Sequence, residues 1–392
     1  MSLSAAQDET LMARALRLAE RGLYTTDPNP RVGCVLWRDG RIVGEGSHWR
    51  AGEPHAEVLA LRAADTAAAG ATAYVTLEPC SHTGRTPPCA DALIAAGVKE
   101  VHCASVDPNP RVAGAGLRRL EAAGVRVVVG NLQEPAHALN VGFFSRFERA
   151  RPYVRLKLAM SLDARTGGKA PVEPRTWITS EDSRLDVQRW RARSSAVLTG
   201  AGTVRSDDPR LDVRWSYGPW VRQPLRVVLD PALSISSDAK IFAGGGAIVF
   251  AAAGGDADPA AGGDADPAAG GDADPAAGSD ANREPAAASD IRIERVAAAP
   301  GGLDLRAVLR RLVDYEVNEL FVECGPRLAG AFLQERLVDE LILYVAPHFL
   351  GSEAAPLAAL SGAGLMQVPP LEFKDVRRIG ADLRLVLTPK ES

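Results

Sequence analysis

The chain of 392 residues has no apolar run approaching the roughly 20 consecutive residues that a bilayer-spanning helix requires. Aromatic residues make up only 5%, and no basic stripe interleaves with them, so a nucleic-acid surface is not expected. Neither sign of charge is in excess: 45 Lys and Arg stand against 49 Asp and Glu, a net charge of -4 that argues against a polyanion-binding field. Cysteine is scarce. Five residues, an odd number without small-domain spacing, read as thiols of a reducing compartment rather than as a disulfide framework. Residues 1–20 set Asp8, Glu9, Arg14 and Arg17 among their apolar positions and lack the basic-then-apolar order of a secretory leader. A cytoplasmic protein whose partner is neither membrane nor nucleic acid is the expectation.

What is present is ample apolar material, 46% of the chain, and a length that predicts two domains of about 150 to 200 residues each. Leu11, Met12, Ala15, Leu16 and Ala19 form one stripe, which predicts a helix over 8–22. Two short apolar runs, 32–37 and 41–46, flank Asp39-Gly40, a hairpin signal. A helix over 55–69, a strand over 73–77, a helix over 89–96, strands over 98–105 and 125–129, and helices over 117–123 and 134–147 complete an alternation that implies a sheet with helices on its faces. At Arg151-Pro152 the pattern resets, which divides the chain into domains 1–150 and 151–392. In the second, strands are expected over 153–158, 196–199, 225–229, 247–251, 291–296, 319–322 and 340–345, with helices over 183–192 and 303–315 and from Gly325 onward. The final strands, 371–377 and 383–387, suggest an antiparallel edge on a mixed sheet. Between the strands 247–251 and 291–296, the unit Gly-Gly-Asp-Ala-Asp-Pro-Ala-Ala repeats three times without a large apolar residue, so about 252–290 reads as a disordered insertion.

The chemistry concentrates in Pro54-His55-Ala56-Glu57 and Pro79-Cys80 through Pro88-Cys89. One imidazole and two thiolates make three zinc ligands, and a zinc with three protein ligands keeps its fourth position open, the arrangement of a catalytic site. The metal acidifies water, and Glu57 is the carboxylate placed to move its protons. Residues two apart do not share a helix face, so Glu57 is not a fourth ligand. A closed structural zinc would recruit His82 instead, and would leave Glu57 without a role. Both halves of the cluster fall at predicted helix starts, where the dipole favours thiolate. The hexapeptide Asp-Pro-Asn-Pro-Arg-Val occurs at 27–32 and again at 107–112. It reads either as two ordinary turns or as rigid loops presenting asparagine to a ligand. In the second half, Gly325 at a helix start and the turn Gly200-Ala201-Gly202-Thr203 offer phosphate-ready backbone N–H groups, or serve simply as tight turns. The third glycine of the dinucleotide fingerprint is missing.

His55-Ala56-Glu57 with Pro79-Cys80 resembles the zinc-dependent cytidine-deaminase superfamily. The eight residues between Cys80 and Cys89, both Asp-Pro-Asn-Pro loops and the Ala73-Tyr74-Val75-Thr76-Leu77-Glu78 stretch are similar to the deaminase domain of the bifunctional riboflavin-biosynthesis deaminase/reductase family. Lys157-Leu158-Ala159-Met160-Ser161-Leu162-Asp163, Trp177-Ile178-Thr179-Ser180, Asp207-Asp208-Pro209-Arg210-Leu211 and Glu323-Cys324-Gly325-Pro326 resemble its reductase domain. The resemblance covers nearly the whole chain outside the insertion. It implies an α/β chain, an N-terminal cytidine-deaminase-like three-layer domain followed by a dihydrofolate-reductase-like mixed-sheet domain, using Zn2+ and NADPH.

By the same resemblance, His55, Cys80 and Cys89 would hold zinc and Glu57 would shuttle protons during deamination of a small-molecule pyrimidine ribotide. NADPH would then reduce the product's ribosyl chain to ribityl. The cofactor would meet Ala159, Trp177, Thr179, Thr203, Asp207 and the turn Gly325, Pro326, Arg327, Leu328, Ala329, Gly330 and Ala331. The substrate would meet Arg191, Leu211, Arg214 and Glu323, the arginines suiting its phosphate. Lys157, Asp207 and Glu323 are candidate proton donors for the reduction, or else salt-bridged strand-end charges. Three departures from the family stand out: Thr83 replaces a histidine, Arg175 a small hydroxyl residue and Ala164 a glycine. A homo-oligomer is expected. The rival readings are a single-activity nucleoside or tRNA-base deaminase and a nucleotide-sensing protein with a structural zinc.

Overall fold

The structure, a computed structural model, describes residues 4–81, 88–168, 177–215, 221–254, 291–360 and 368–390. The Gly/Asp/Ala/Pro repeat and residues His82, Thr83 and Arg175 lie outside the described residues. The chain divides into two compact units, Met1–Arg151 and Pro152–Ser392. Among the described residues no helix is long and apolar enough to cross a membrane.

The first unit opens with α1 (Ala5–Ala19). It begins earlier than its apolar stripe because Ser4 and Gln7 form a reciprocal capping box that satisfies two otherwise unpaired N–H groups. Strands β1 (Gly33–Arg38) and β2 (Arg41–Ser47) pair antiparallel. Their turn holds both Asp39 (φ 50°) and Gly40 (φ 83°) in the left-handed region, as a tight hairpin demands. Then follow α2 (Ala56–Ala64), β3 (Thr72–Val75), α3 (Cys89–Ala95), β4 (Glu100–Cys103), α4 (Ala115–Ala122) and β5 (Arg126–Val129). The sheet runs β2-β1-β3-β4-β5, with β3, β4 and β5 mutually parallel.

Strand alternation divides the residues between two faces. Cys34, Leu36, Ala73 and Val75 pack with Ala56, Ala60, Ala90 and Leu93 of α2 and α3, whereas Val35 and Tyr74 meet Leu11, Met12 and Ala15 of α1. Three layers result. The helix expected over 134–147 is two, α5 (Gln133–Leu139) and α6 (Val141–Glu148). Asn140 (φ -120°, ψ 25°) interrupts them. Its amide accepts from Arg31 N–H at 2.8 Å and donates to Arg31 C=O at 3.0 Å, which satisfies two buried backbone groups and outweighs one continuous helix.

The second unit is one large sheet. Its strands are β6 (Tyr153–Met160), β7 (Arg165–Gly168), β8 (Ala196–Gly200), β9 (Leu225–Leu229), β10 (Ala247–Ala252), β11 (Ile291–Val296), β12 (Ala298–Ala299), β13 (Gly302–Leu303), β14 (Glu319–Glu323), β15 (Glu340–Val345), β16 (Ala354–Pro356), β17 (Leu371–Ile379) and β18 (Asp382–Pro389). The helices are α7 (Glu181–Arg193), α8 (Ala201–Asp207), α9 (Leu305–Val313) and α10 (Pro326–Gln334). Nine strands order as β11-β10-β9-β8-β14-β6-β15-β18-β17. The strands from β11 through β15 are parallel to their neighbours, and β18 and β17 add the expected antiparallel edge. Leu320 and Val322 face α9 and α10, Phe321 faces α7 and α8, and a core forms on each side. The short pairs β7–β16 and β12–β13 have no alternation long enough to announce them. Gly200 through Thr203, expected as a loop, instead caps and begins α8.

Ala164 sits at φ 56°. The left-handed turn therefore costs its β-carbon about 1–2 kcal/mol that a glycine would not incur.

Two glycines set the position of the helix that carries Glu57. A β-carbon at Gly46 would lie 2.0 Å from the Ala56 carbonyl oxygen, and one at Gly44 would lie 2.2 Å from that of Ala60. Gly46→Ala is therefore expected to destabilise the first unit by about 1–3 kcal/mol. Urea unfolding followed by far-UV circular dichroism measures the loss, and an unchanged midpoint would show that α2 does not need this approach.

Candidate active site

In the first unit, β3 leads into Pro79-Cys80, α2 starts beside His55 and α3 starts at Cys89. His55 is the N-cap of α2 and Cys89 the first residue of α3, so two of the three groups occupy helix N-termini. Their donor atoms, with Cys80 Sγ, all lie within 4.8 Å of one another. His55 Nδ1 is 3.2 Å from Cys89 Sγ and 3.7 Å from Cys80 Sγ, and the Cys89 N–H donates to Cys80 Sγ at 3.3 Å. The Cys89 thiol and His55 hold the Cys80 thiol well below the usual thiol range, while Cys80 and burial push Cys89 above it. Contact with Cys80 raises His55.

Glu57, in the first turn of α2, is 3% exposed, and its Oε2 has no hydrogen-bond partner among the described residues. Burial pushes its carboxyl up to about 7, against the opposing pull of His55. An unsatisfied buried carboxylate oxygen costs free energy unless something else meets it. Beside one imidazole and two thiols, that gap fits a tetrahedral zinc with its open position.

Three residues without a role in the sequence reading complete the surroundings. His48 lies edge-on to His55, ring centroids 5.1 Å apart. Its Nδ1 lies 3.2 Å from the Pro54 carbonyl, which only accepts, so Nδ1 carries the hydrogen and Nε2 of the neutral ring accepts from Asn29 Nδ2 at 3.1 Å. Burial lowers its pKa, which favours that neutral form. Asn29 belongs to the first hexapeptide, whose Arg31 backbone is held by Asn140. Glu78, 4% exposed and two residues before Cys80, accepts backbone N–H groups of Asp107 (3.2 Å), Gly114 (2.8 Å) and Gly116 (2.8 Å), in and just after the second hexapeptide. Glu78 was visible in the quoted stretch preceding Cys80. Its partners, 29 to 38 residues away, were not.

In the second unit, α8 follows β8 and α10 follows β14, and these two strands are neighbours. Two helix N-termini thus open at adjacent strand ends, neither with a side-chain cap, an arrangement suited to the phosphates of a dinucleotide. Of the run 325–331, Arg327 is exposed, whereas Ala329 is in the core and a β-carbon on Gly330 would lie 2.0 Å from the Ala359 carbonyl oxygen. Helical geometry turns Ala329 and Gly330 inward, away from a ligand at the helix start. Thr203 is in α8 and Asp207 ends it, while Ala159 lies on β6. Trp177 is stacked by the Arg184 guanidinium at 4.5 Å, and Arg184 Nη1 donates to the Thr179 carbonyl at 2.8 Å.

Arg191 is 1% exposed and directs Nε and Nη2 at the two Glu323 carboxylate oxygens, 2.5 and 3.0 Å away. Lys157 Nζ lies 3.9 Å from Glu323 Oε2, on the paired strand β6. Two residues expected separately at the substrate, Arg191 and Glu323, are thus one buried ion pair with a lysine beside it. Arg214 Nη1 meets Asp212 at 3.2 Å. Leu211 is buried in the core with Val187 and Val204, so its side chain is committed to packing.

The two folds and their sites define a class of two-headed enzyme, a zinc-binding deaminase followed by a reductase. Residues 5–105 match the cytidine and deoxycytidylate deaminase zinc-binding region, and residues 152–385 match the RibD C-terminal domain. The Riboflavin biosynthesis protein RibD of Escherichia coli K12 is 47% identical over 97% of this chain and 99% of its own. That of Haemophilus influenzae is 43% identical over 98% of each. Among solved structures, Acinetobacter baumannii RibD (form 1) is 40% identical with a TM-score of 0.85, covering 99% of this chain and 100% of that one. The diaminohydroxyphosphoribosylaminopyrimidine deaminase/5-amino-6-(5-phosphoribosylamino)uracil reductase of Thermotoga maritima is 30% identical with a TM-score of 0.78, over 98% and 99%. The chain belongs to the RibD family of riboflavin biosynthesis. Its activities are those of a deaminase and a reductase, with Zn2+ and NADPH as cofactors. Both rival readings, a single-activity deaminase and a zinc-stabilised sensor, are set aside.

Asp107 yields a pH-dependent expectation. Burial, then the neighbouring Glu78 charge, raises its carboxyl from 3.8 to about 6. The folded state therefore holds the proton more tightly, and the resulting stabilisation is complete below pH 3.8 and lost as pH rises through about 6. Asp107→Asn, which keeps an acceptor for the Asn109 N–H, is expected to gain stability relative to the wild type at pH 8 but not at pH 3.5. Urea midpoints at the two pH values measure the difference.

Proposed function

We propose that the first unit hydrolytically deaminates a diaminopyrimidinone ribotide and that the second reduces the ribosyl chain of the deaminated product to ribityl with NADPH. The observation that carries the first step is the His55, Cys80 and Cys89 cluster beside the unpartnered Glu57 Oε2. In this reading His55 Nδ1 and the two thiolates hold zinc. The ion supplies Lewis acidity that acidifies water. Glu57, poised near neutrality, takes a proton from water and delivers it to the departing amine, so that a C–O bond replaces a C–N bond and ammonia leaves. The two hexapeptide loops flank the ribotide. Asn29 is fixed by the neutral His48, and the second loop rests on Glu78.

For the second step, the paired N-termini of α8 and α10 take the NADPH phosphates, with Ala159, Trp177, Thr179, Thr203, Asp207 and the first residues of the Gly325–Ala331 turn along the cofactor, while Ala329 and Gly330 pack behind it. The Arg191–Glu323 pair and Arg214 meet the ribotide, while Leu211 supports them from the core. Lys157, whose Nζ lies 3.9 Å from Glu323 Oε2, supplies the proton that accompanies the hydride. The chain acts in the cytoplasm, as its thiol complement suggests, and as a homo-oligomer, for which exposed Phe373 and Val376 on the edge strand β17 offer apolar surface.

Glu57→Gln is expected to keep its zinc, lower ammonia release by a factor of about 10^2 to 10^4, and leave NADPH oxidation with the deaminated ribotide unchanged. Metal analysis together with the two assays reads all three quantities. Ammonia release at the wild-type rate would remove Glu57 from the chemistry.

A further inference from the structure

We infer that Glu78 is a positioning residue for deamination, holding the second hexapeptide loop and the start of α4 that follows it at the site through three backbone hydrogen bonds. The inference rests on the reading above that this loop meets the ribotide.

The geometry is specific. Glu78 Oε2 accepts from the N–H groups of Asp107 and Gly114, and Oε1 accepts from that of Gly116. No arginine or lysine is recorded on this carboxylate among the described residues. Three backbone donors balance it, one in the hexapeptide (Asp107) and two at the start of α4 (its N-cap Gly114, and Gly116). The start of α4 is pressed onto the same place: a β-carbon at Gly116 would lie 1.9 Å from the Pro79 carbonyl oxygen. From α4, Arg119 Nε meets Asp91 of α3 at 2.5 Å and Nη1 donates to the Ser81 carbonyl at 3.4 Å. Loop, ligand segment and α3 therefore form one packed body. Within the loop, Asp107 Oδ1 accepts the Asn109 N–H at 2.7 Å and Asn109 Oδ1 accepts the Arg111 N–H at 3.1 Å, so fixing the Asp107 backbone also fixes Asn109.

The first hexapeptide is held by the same device with different chemistry. There a neutral amide, Asn140, both donates and accepts at Arg31, whereas Glu78 only accepts. That difference makes Glu78 testable by amide replacement. Glu78→Gln keeps the shape but offers an NH2 group where an oxygen had accepted, which turns one or two of the three contacts into donor against donor. Glu78→Asp keeps both oxygens but retracts them by one methylene.

The experiment measures kcat and KM for ammonia release by the zinc-loaded full chain as wild type, Glu78→Gln, Asn109→Ala and the double variant. Zinc content and NADPH oxidation with the deaminated ribotide accompany each. Small misplacements of a positioning group are costly, so Glu78→Gln is expected to raise KM about tenfold or more with zinc and NADPH oxidation retained. Asn109→Ala is expected to raise it similarly. The double variant should fall well short of the product of the two factors, because both changes act through one loop. If Glu78→Gln does not fold, Glu78→Asp is read instead, with a smaller rise in KM. Loss of zinc with kcat, or effects of the two substitutions that multiply, would mean that Glu78 acts through Cys80 or through stability, and would overturn the inference. An unchanged KM in Asn109→Ala would instead defeat the underlying reading that the loop meets the ribotide.

Discussion

The fold of the first unit is built around a concentration of acidic groups that it does not satisfy by itself. Two thiols and an imidazole are gathered within 4.8 Å of one another, and the buried Glu57 in the first turn of α2 has its Oε2 left without a partner among the described residues. In a low-dielectric interior such a collection is unfavourable unless a cation and a substrate complete it. The surrounding structure supplies the partial compensation available to a protein: helix N-termini at His55 and Cys89, and a backbone N–H directed at Cys80. It also supplies rigidity. Gly44 and Gly46 let α2 lie on β2 at backbone contact, so the helix bearing Glu57 has little room to shift.

A related economy appears in the second unit. The largest fully buried side chain there is Arg191, an expensive group to desolvate, and its cost is offset by the fork-on-carboxylate geometry with Glu323. The pair is held between α7 and β14, next to the strand β6 that carries Lys157. It stands at the same strand end from which α10 departs, close to the helix start proposed for phosphate. A rigid, charged and largely water-excluded floor suits the hydride transfer proposed above, because bulk water would weaken every electrostatic contact there.

Much of the architecture was readable along the chain. The stripe of α1, the Asp39-Gly40 hairpin and the parallel alternation follow from local periodicity and turn chemistry, and the antiparallel edge from two terminal runs. Failures occurred where a distant group decided a local question. Asn140 breaks one expected helix into two because Arg31, 109 residues away, needs its amide. Gly200 through Thr203 looked like a loop but begins α8, since the adjoining strand places it at a helix start.

Composition and spacing determined by themselves which chemistry the chain could carry. His55-Ala56-Glu57 and the Cys80–Cys89 pair are near enough in sequence, and distinctive enough in donor type, to point to a metal and a proton carrier. Tertiary structure alone decided what those groups meet. It set Arg191 on Glu323 rather than leaving both open, committed Leu211 and Ala329 to the core, and brought His48, Glu78 and both hexapeptides around the cluster. Ligand identity is a matter of side-chain type, which sequence records directly. Hydrogen-bond partners across tens of residues depend on how strands and helices pack, and only the folded chain brings them within three ångströms or so of one another.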